Sequence, residues 1–323
     1  MVKDVDLVYT WVDGYASDML NKRNEYAKKT GNTDQIKQVC RYKDNQELKY
    51  SLRSVEKNIP WVRKIFIITD NQVPSWLDVK NSKIRIVDHT EIFPQDALPC
   101  FNSSAIEHCI CNIDELSEHF IYSNDDTFVG KPLEKDFFFN EKGYPICRYE
   151  KPYDRNSPNL DYFTRQMIND SELIEAKFGI LYSCWPHHNM DSYVKSDVIA
   201  CHDLFRKEID ATIYHPFRRN DDIQRDIYSL YSCAIGHGDY KILGSLDSHM
   251  SVGEKIFVSF KKNLDYDSWL FSTNEYKQVM KIMNRFNPKL FCINDTESVE
   301  NNDRDNLKDL LEKLFPEKSS FEI

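Results

Sequence analysis

Asn124-Asp125-Asp126 is the stretch best suited to chemistry. It follows Phe120-Ile121-Tyr122, an aromatic and β-branched run that favours a buried strand, and its own residues prefer turns. In open α/β sheets ligands sit beyond the carboxyl ends of the strands, so adjacent carboxylates there put negative charge where a ligand binds. Such a pair repels itself unless a cation joins it, and oxygen-only ligands suit Mg²⁺ or Mn²⁺. Alone, Asn-Asp-Asp favours the reading of a solvated turn with an Asx cap, and the rest of the chain reverses that preference.

Other polar residues fall beside comparable runs. Asp70-Asn71 closes Ile65-Phe66-Ile67-Ile68 at the same predicted sheet edge. Asn102, Ser103 and Glu107 stand at a predicted helix start, where free N–H groups attract phosphate. Asp6 lies inside an apolar strand, so its charge must be paired or neutralised. Tyr9 and Trp11 share one face of that strand, as core or as flanks of a nucleotide base. Glu47, Lys49 and Arg53 form a charged helix face. His188 follows Trp185-Pro186-His187, and a single histidine is more often structural than basic. Arg218 precedes Asp221-Asp222, either as a salt-bridge partner or to neutralise a transferring phosphoryl group. Asp295 ends the run Leu290-Phe291-Cys292-Ile293 and alone is a turn residue.

The elements that must position these residues follow from periodicity. Residues 5–12 read as a first, central strand, with Asp13-Gly14 as its turn. Residues 17–29 suit a helix. Asp44 to Glu47 resembles a capping box ahead of a stripe of Leu48, Leu52, Val55 and Ile59, which Pro60 stops. Strands at 62–69 and 84–87, a helix from Ser103 to about Cys111, and the strand before Asn124 complete a βαβ rhythm. Phe137-Phe138-Phe139 reads as an edge strand or apolar loop, and 151–170 as a long loop. Helices follow, lined by Val194, Val198, Cys201 and Phe205, by Ile223, Ile227, Leu230 and Tyr231, and by Leu307, Leu310, Leu311 and Leu314.

The chain has 323 residues, 41% hydrophobic and 29% charged, which suits a globular protein. No apolar run reaches membrane-spanning length, and Met-Val-Lys-Asp-Val-Asp leads straight into a strand pattern with no signal peptide expected. A net charge of −10 argues against nucleic-acid binding. The nine scattered cysteines are expected to be reduced, small hydrophobes of a cytoplasmic protein.

Four ordered blocks span nearly the whole chain. They are Asp6 to Gly14; Asn45 to Ser54 through Ile68–Gln72 and Phe101–Glu107 to Asp126; His188, Lys195, Phe217-Arg218 and Asp222; and Phe291 to Asp295 with Phe315-Pro316 and Ser319 to Glu322. Through them the chain resembles the Stealth family of sugar-phosphate transferases, which includes bacterial capsule polymerases and the N-acetylglucosamine-1-phosphotransferase that tags lysosomal enzymes. The resemblance implies an α/β, GT-A-like (Rossmann-like) fold with a mostly parallel sheet and a helical C-terminal half completing the site. One catalytic domain, 1–323, would bind nucleotide-sugar through 1–150 and close over the acceptor with 151–323. It would transfer hexose-1-phosphate, for example N-acetylglucosamine-1-phosphate, from a UDP-sugar to a glycan hydroxyl and release UMP. The acceptor would be a polysaccharide or glycolipid, since the large inserted modules of the lysosomal-tagging members are missing. The protein would lie at most peripherally at the inner face of a bacterial membrane.

The resemblance also implies roles. Asp6, His188 and Arg218 would be catalytic, with either His188 or Asp6 as the base. Tyr9, Trp11, Arg53, Asp70, Asn71, Asn102, Ser103 and Lys195 would bind donor or phosphate. Asn124, Asp125, Asp126 and Asp295 would hold Mg²⁺ or Mn²⁺. Two rivals remain: a metal-dependent glycosyltransferase releasing UDP, and an inactive sugar-nucleotide-binding scaffold.

Overall fold

The computed structural model describes residues 2–37, 40, 42–158, 160–242, 268–275, 277, 279 and 288–323. Strand β1 (Val5–Thr10) is followed by α1 (Ser17–Thr30), α2 (Glu47–Asn58), β2 (Ile65–Thr69), β3 (Ile84–Asp88), the short α3 (His89–Ile92), α4 (Ser103–His108) and β4 (His119–Asn124). Next come β5 (Thr127–Val129), β6 (Ile146–Pro152), α5 (Tyr162–Phe178), β7 (Cys184–Pro186), β8 (Asp191–Val194), α6 (Lys195–Leu204), α7 (Arg206–Ile213), α8 (Asp226–Ala234) and β9 (Asp239–Ile242). After β10 (Ser268–Ser272) and β11 (Leu290–Asn294), α9 (Asn301–Leu314) leads to the C-terminal residues.

The main sheet has the order β3-β2-β1-β4-β8. Its first four strands are parallel and β8 is antiparallel, so the α/β, mostly parallel class expected from the sequence is observed and β1 is central. Both faces are covered, as parallel sheets require. Val8, Phe66, Phe120 and Tyr122 pack toward α4, α6, α7 and α8, while Leu7, Tyr9, Ile67 and Ile121 pack toward α2. A second sheet, β10-β11-β5, receives α9 through Leu307, Leu310, Leu311 and Phe315. It ties the end of the chain to the turn after β4. A third sheet has the order β7-β6-β9.

Several local expectations change. The helix expected from Asp44 starts at Glu47, because Gln46 adopts φ 69°. Asp44 instead accepts from the Gln46 N–H at 3.0 Å, and Glu47 accepts from the Asn45 N–H at 2.7 Å. The expected loop over 151–170 gives way to the end of β6 and to α5, which Asp161 caps by accepting from Thr164 N at 2.7 Å. Of the edge strand or apolar loop expected at Phe137-Phe138-Phe139, the structure has the loop, with all three buried around a 3₁₀ turn. Gly14 is required by packing: a Cβ there would lie 2.6 Å from Tyr42. All nine cysteines are free.

His108 pins α4 to the approach of α8. Its Nε2 donates to the Ile223 carbonyl at 2.9 Å, which leaves Nδ1 to accept from the Tyr228 hydroxyl at 2.7 Å. Burial pushes its pKa down to about 4 from 6.5. Between those values the unfolded chain binds a proton that the fold excludes, so stability falls as pH drops through this window, by about 3 kcal/mol in full. Thermal melts of the wild type should lose stability from pH 6.5 toward pH 4, and the loss should be visibly smaller in His108→Gln.

Candidate functional site

The parallel register sets Thr10 beside Asn124 and Ile68, so β1, β2 and β4 end together. Asp13, Asp70, Asn71 and the Asn124–Asp126 turn therefore crowd one sheet edge. Gln72 clamps Asp13, accepting from its N–H at 2.9 Å and donating to its carbonyl at 3.0 Å. Asn71, at φ 53°, donates its N–H to Asp88 at 2.6 Å. Asp70 pairs with Lys22 at 2.7 Å.

Adjacent carboxylates in the turn face different neighbours. Asp125 joins Asp44 and Glu47, and Asp126 joins His188 and Cys292; in each group the ligand atoms lie within 4.8 Å of one another. Burial, then Asp126, Glu47 and Asp44, hold Asp125 well above the ordinary carboxylate range. Glu47 is pushed up to about 8, chiefly by burial. Burial also raises Asp126, against the opposing pull of His188, and one of its oxygens is buried without a hydrogen-bond partner. His188 is lowered by burial while Asp126 works the other way. Burial and mutual charge thus oppose ionisation of these carboxylates, and one Asp126 oxygen has no hydrogen-bond partner.

Behind the turn lies a charged network. Arg225 reaches Asp191 at 2.8 Å and Glu107 at 3.3 Å, and its guanidinium stacks over Tyr122 at 4.7 Å. To one side, Arg218 donates to Ser103 Oγ at 2.5 Å and has no carboxylate partner among the described residues. Asn102 donates to Asp222 at 2.9 Å, and Asp222 also accepts from His215 Nδ1 at 2.6 Å. The salt bridge expected within this run is made by Arg219 with Asp221 at 2.8 Å.

The structure thus brings together Asn124, Asp125, Asp126 and His188, with Asn102, Ser103 and Arg218 as a neighbouring group, and it relocates several other candidates. Asp6 sits at the opposite, N-terminal end of β1, fully buried and held by Arg63 at 2.8 and 2.5 Å and by the Ser117 N–H at 2.7 Å. It is a structural ion pair rather than an active-site carboxylate. Lys195 is at the same wrong end, donating to the Ile113 carbonyl at 3.1 Å beside the start of β4. Asp295 is closed in a paired contact with Arg304 at 2.8 and 3.0 Å, and the Asn124 side-chain oxygen accepts from Tyr122 at 2.8 Å. Asp295 joins no group of acidic, histidine or cysteine ligands among the described residues. Tyr9 is core, bonded to Ser51 at 2.7 Å, and Trp11 is 7% exposed against Asp44.

Arg53 belongs to the C-terminal lock. It binds Glu322 at 2.7 and 2.9 Å and the Phe315 carbonyl at 2.7 Å, with both charged side chains nearly inaccessible. Arg53→Ala should cost about 3 kcal/mol, because it leaves the buried Glu322 carboxylate with only Ser319 and a Lys49 Nζ 3.7 Å away. Urea titration should show the loss, while kcat of the folded fraction should stay near wild type. A collapse of donor affinity with unchanged stability would restore Arg53 to the donor site.

Sequence reasoning missed Asp44 and Glu47 as site carboxylates, because both looked like caps. Arg225 escaped inside a charge run, Asp191 as a lone acid between Met190 and Ser192, and Cys292 inside an apolar strand.

The fold and site define an α/β protein with an acidic turn at the carboxyl edge of its sheet. Residues 41–147 match the model of Stealth protein CR2, conserved region 2. The chain is 33% identical over 309 residues to the capsular polysaccharide phosphotransferase fcs1 of Haemophilus influenzae, covering 92% of this chain and 79% of that one. It is 30% identical over 351 residues to the exopolysaccharide phosphotransferase cps2G of Lactiplantibacillus plantarum (99% and 96% covered). It is also 30% identical over 362 residues to the receptor polysaccharide phosphotransferase WefC of Streptococcus gordonii, covering 100% of both. The chain belongs to the Stealth family. Among solved structures, the galactosyltransferase LgtC in complex with donor and acceptor sugar analogues aligns over 95% of both chains with a TM-score of 0.44 and 11% identity. Among the described residues no helix is long and apolar enough to cross a membrane.

Proposed function

We propose that this chain transfers a hexose-1-phosphate from a UDP-sugar to a sugar hydroxyl of a polysaccharide or glycolipid acceptor, forming a phosphodiester and releasing UMP. The observation that carries this reading is the turn Asp125-Asp126, with its unpartnered buried oxygen and adjacent His188, in a chain whose full-length relatives are polysaccharide phosphotransferases. The acceptor oxygen attacks the sugar-bearing phosphorus. The P–O bond to the uridylyl phosphate breaks, and the hydroxyl proton passes to His188. Burial favours the neutral imidazole this requires. Arg218, held by Ser103 and without a carboxylate partner among the described residues, neutralises charge on the transferring group.

The donor set fits a divalent cation. Asp44, Glu47 and Asp125 offer only oxygens, which Mg²⁺ and Mn²⁺ prefer, while Asp126, grouped separately with His188 and Cys292, offers an oxygen without a hydrogen-bond partner. Bound there, the ion would neutralise pyrophosphate charge. Residues 1–150 then carry the donor, and 151–323 bring His188 and Arg218 to it. A UDP-sugar screen with phosphorus NMR tests the reading: UMP and a diester resonance are expected. UDP with a phosphorus-free product would make the chain a glycosyltransferase instead.

A further inference from the structure

We propose that Arg225 is a positioning residue that holds the acidic turn after β4 and the strand following His188 in one fixed register. The proposal rests on the sugar-phosphate reading of that site. Arg225 lies at the entrance to α8 and spans two elements at once. Its Nε and Nη2 donate to one oxygen of Asp191 at 3.2 and 2.8 Å, and its Nη1 donates to Glu107 on α4 at 3.3 Å. Asp191 pairs directly with Tyr122 across β8 and β4, three residues after His188. The Tyr122 hydroxyl lies 3.1 Å from Glu107 Oε1, 2.8 Å from Asn124 Oδ1 and 2.9 Å from Thr10 Oγ1. One guanidinium thus connects, through Asp191, to the segment bearing His188 and, through Glu107 and Tyr122, to Asn124 at the head of the acidic turn.

Side-chain exposures of 16% for Arg225, 20% for Asp191 and 5% for Glu107 keep the network from being a solvated surface pair. The flat fork of arginine fixes direction as well as charge, and an ammonium does not reproduce it. Arg225 makes no hydrogen bond to Asp125, Asp126 or His188; its hydrogen bonds act through Asp191 and Glu107, and its charge reaches the His188 ring only across space.

Arg225→Met is expected to lower kcat about 100-fold, the scale of a misplacement near 1 Å, with KM for the UDP-sugar nearly unchanged. Arg225→Lys should regain the melting temperature while kcat stays at least about tenfold down, because one ammonium cannot span both carboxylates. The ¹⁵N–¹H resonances of the His188 ring should move in both variants. Recovery of kcat together with stability in Arg225→Lys would overturn the proposal and make Arg225 a charge balancer only. Unmoved His188 resonances would overturn it as well. If Arg225→Met does not fold, Arg225→Lys alone decides between these outcomes. A wild type that releases no UMP from any UDP-sugar would defeat the transferase reading instead, and the His188 resonances would still decide the role of Arg225.

Discussion

Asp126→Asn is expected to abolish most turnover, by roughly 10³-fold, while leaving the metal-free melting temperature unchanged or slightly raised. The loss corresponds to about 4 kcal/mol, the several kcal/mol that a bound cation supplies to a phosphoryl transition state. The stability side follows from burial. One Asp126 oxygen is buried without a partner, and burial holds the carboxyl above its ordinary range. Its ionised form is therefore an expense to the fold rather than a support, and an amide of the same shape removes that expense. Two measurements separate the roles. In the wild type, Mn²⁺ should raise the melting temperature by mass action, and EDTA should stop turnover until Mg²⁺ or Mn²⁺ is returned. In Asp126→Asn both the Mn²⁺ shift and the turnover should shrink together. A large loss of metal-free stability would show that the turn is a structural cap, and full turnover in excess EDTA would remove the cation from the mechanism.

The same turn shows which features were legible before the structure. β1, β2 and β4 are short apolar runs bounded by turn residues, so their existence and the carboxylates at their ends followed from local pattern. The end of the strand at which a charge would sit did not. Asp6 looks like a site carboxylate in sequence, yet its partners Arg63 and Ser117 arrive from 57 and 111 positions away and fix it at the opposite edge. Arg53 likewise meets Glu322 across 269 positions. Long-range ion pairs carry no periodic signature, so candidate residues chosen by type divide only when their partners are known. Asp295 illustrates a shorter version: Arg304, nine positions on, closes around it from the first turns of α9. Capping patterns misled in the other direction. Asp44 and Glu47 do serve local backbone groups, but the αL conformation of Gln46 also turns both toward Asp125.

His188→Ala is expected to lower kcat by roughly two to four orders of magnitude, the range for removing a positioned general base, with donor affinity little changed because the base serves the acceptor hydroxyl. The ring lies within 4.8 Å of Asp126 and Cys292 ligand atoms, so a cation-holding role is the competing account, and it makes a different forecast. If His188 only holds the ion, His188→Ala should lose the Mn²⁺-induced melting shift, and saturating Mn²⁺ should return much of the activity. If it is the base, the shift should persist and added metal should not rescue. His187 supplies the control. It is 3% exposed, and its N–H donates to the Arg148 carbonyl at 3.0 Å, which ties its backbone into the pairing between β6 and β7. His187→Ala should therefore affect stability more than chemistry. A dead His187→Ala beside a working His188→Ala would move the base by one residue. Slow turnover with intact Mn²⁺ binding in His188→Ala would place the proton of the acceptor hydroxyl on His188, at the junction of the acidic turn and the C-terminal half of the chain.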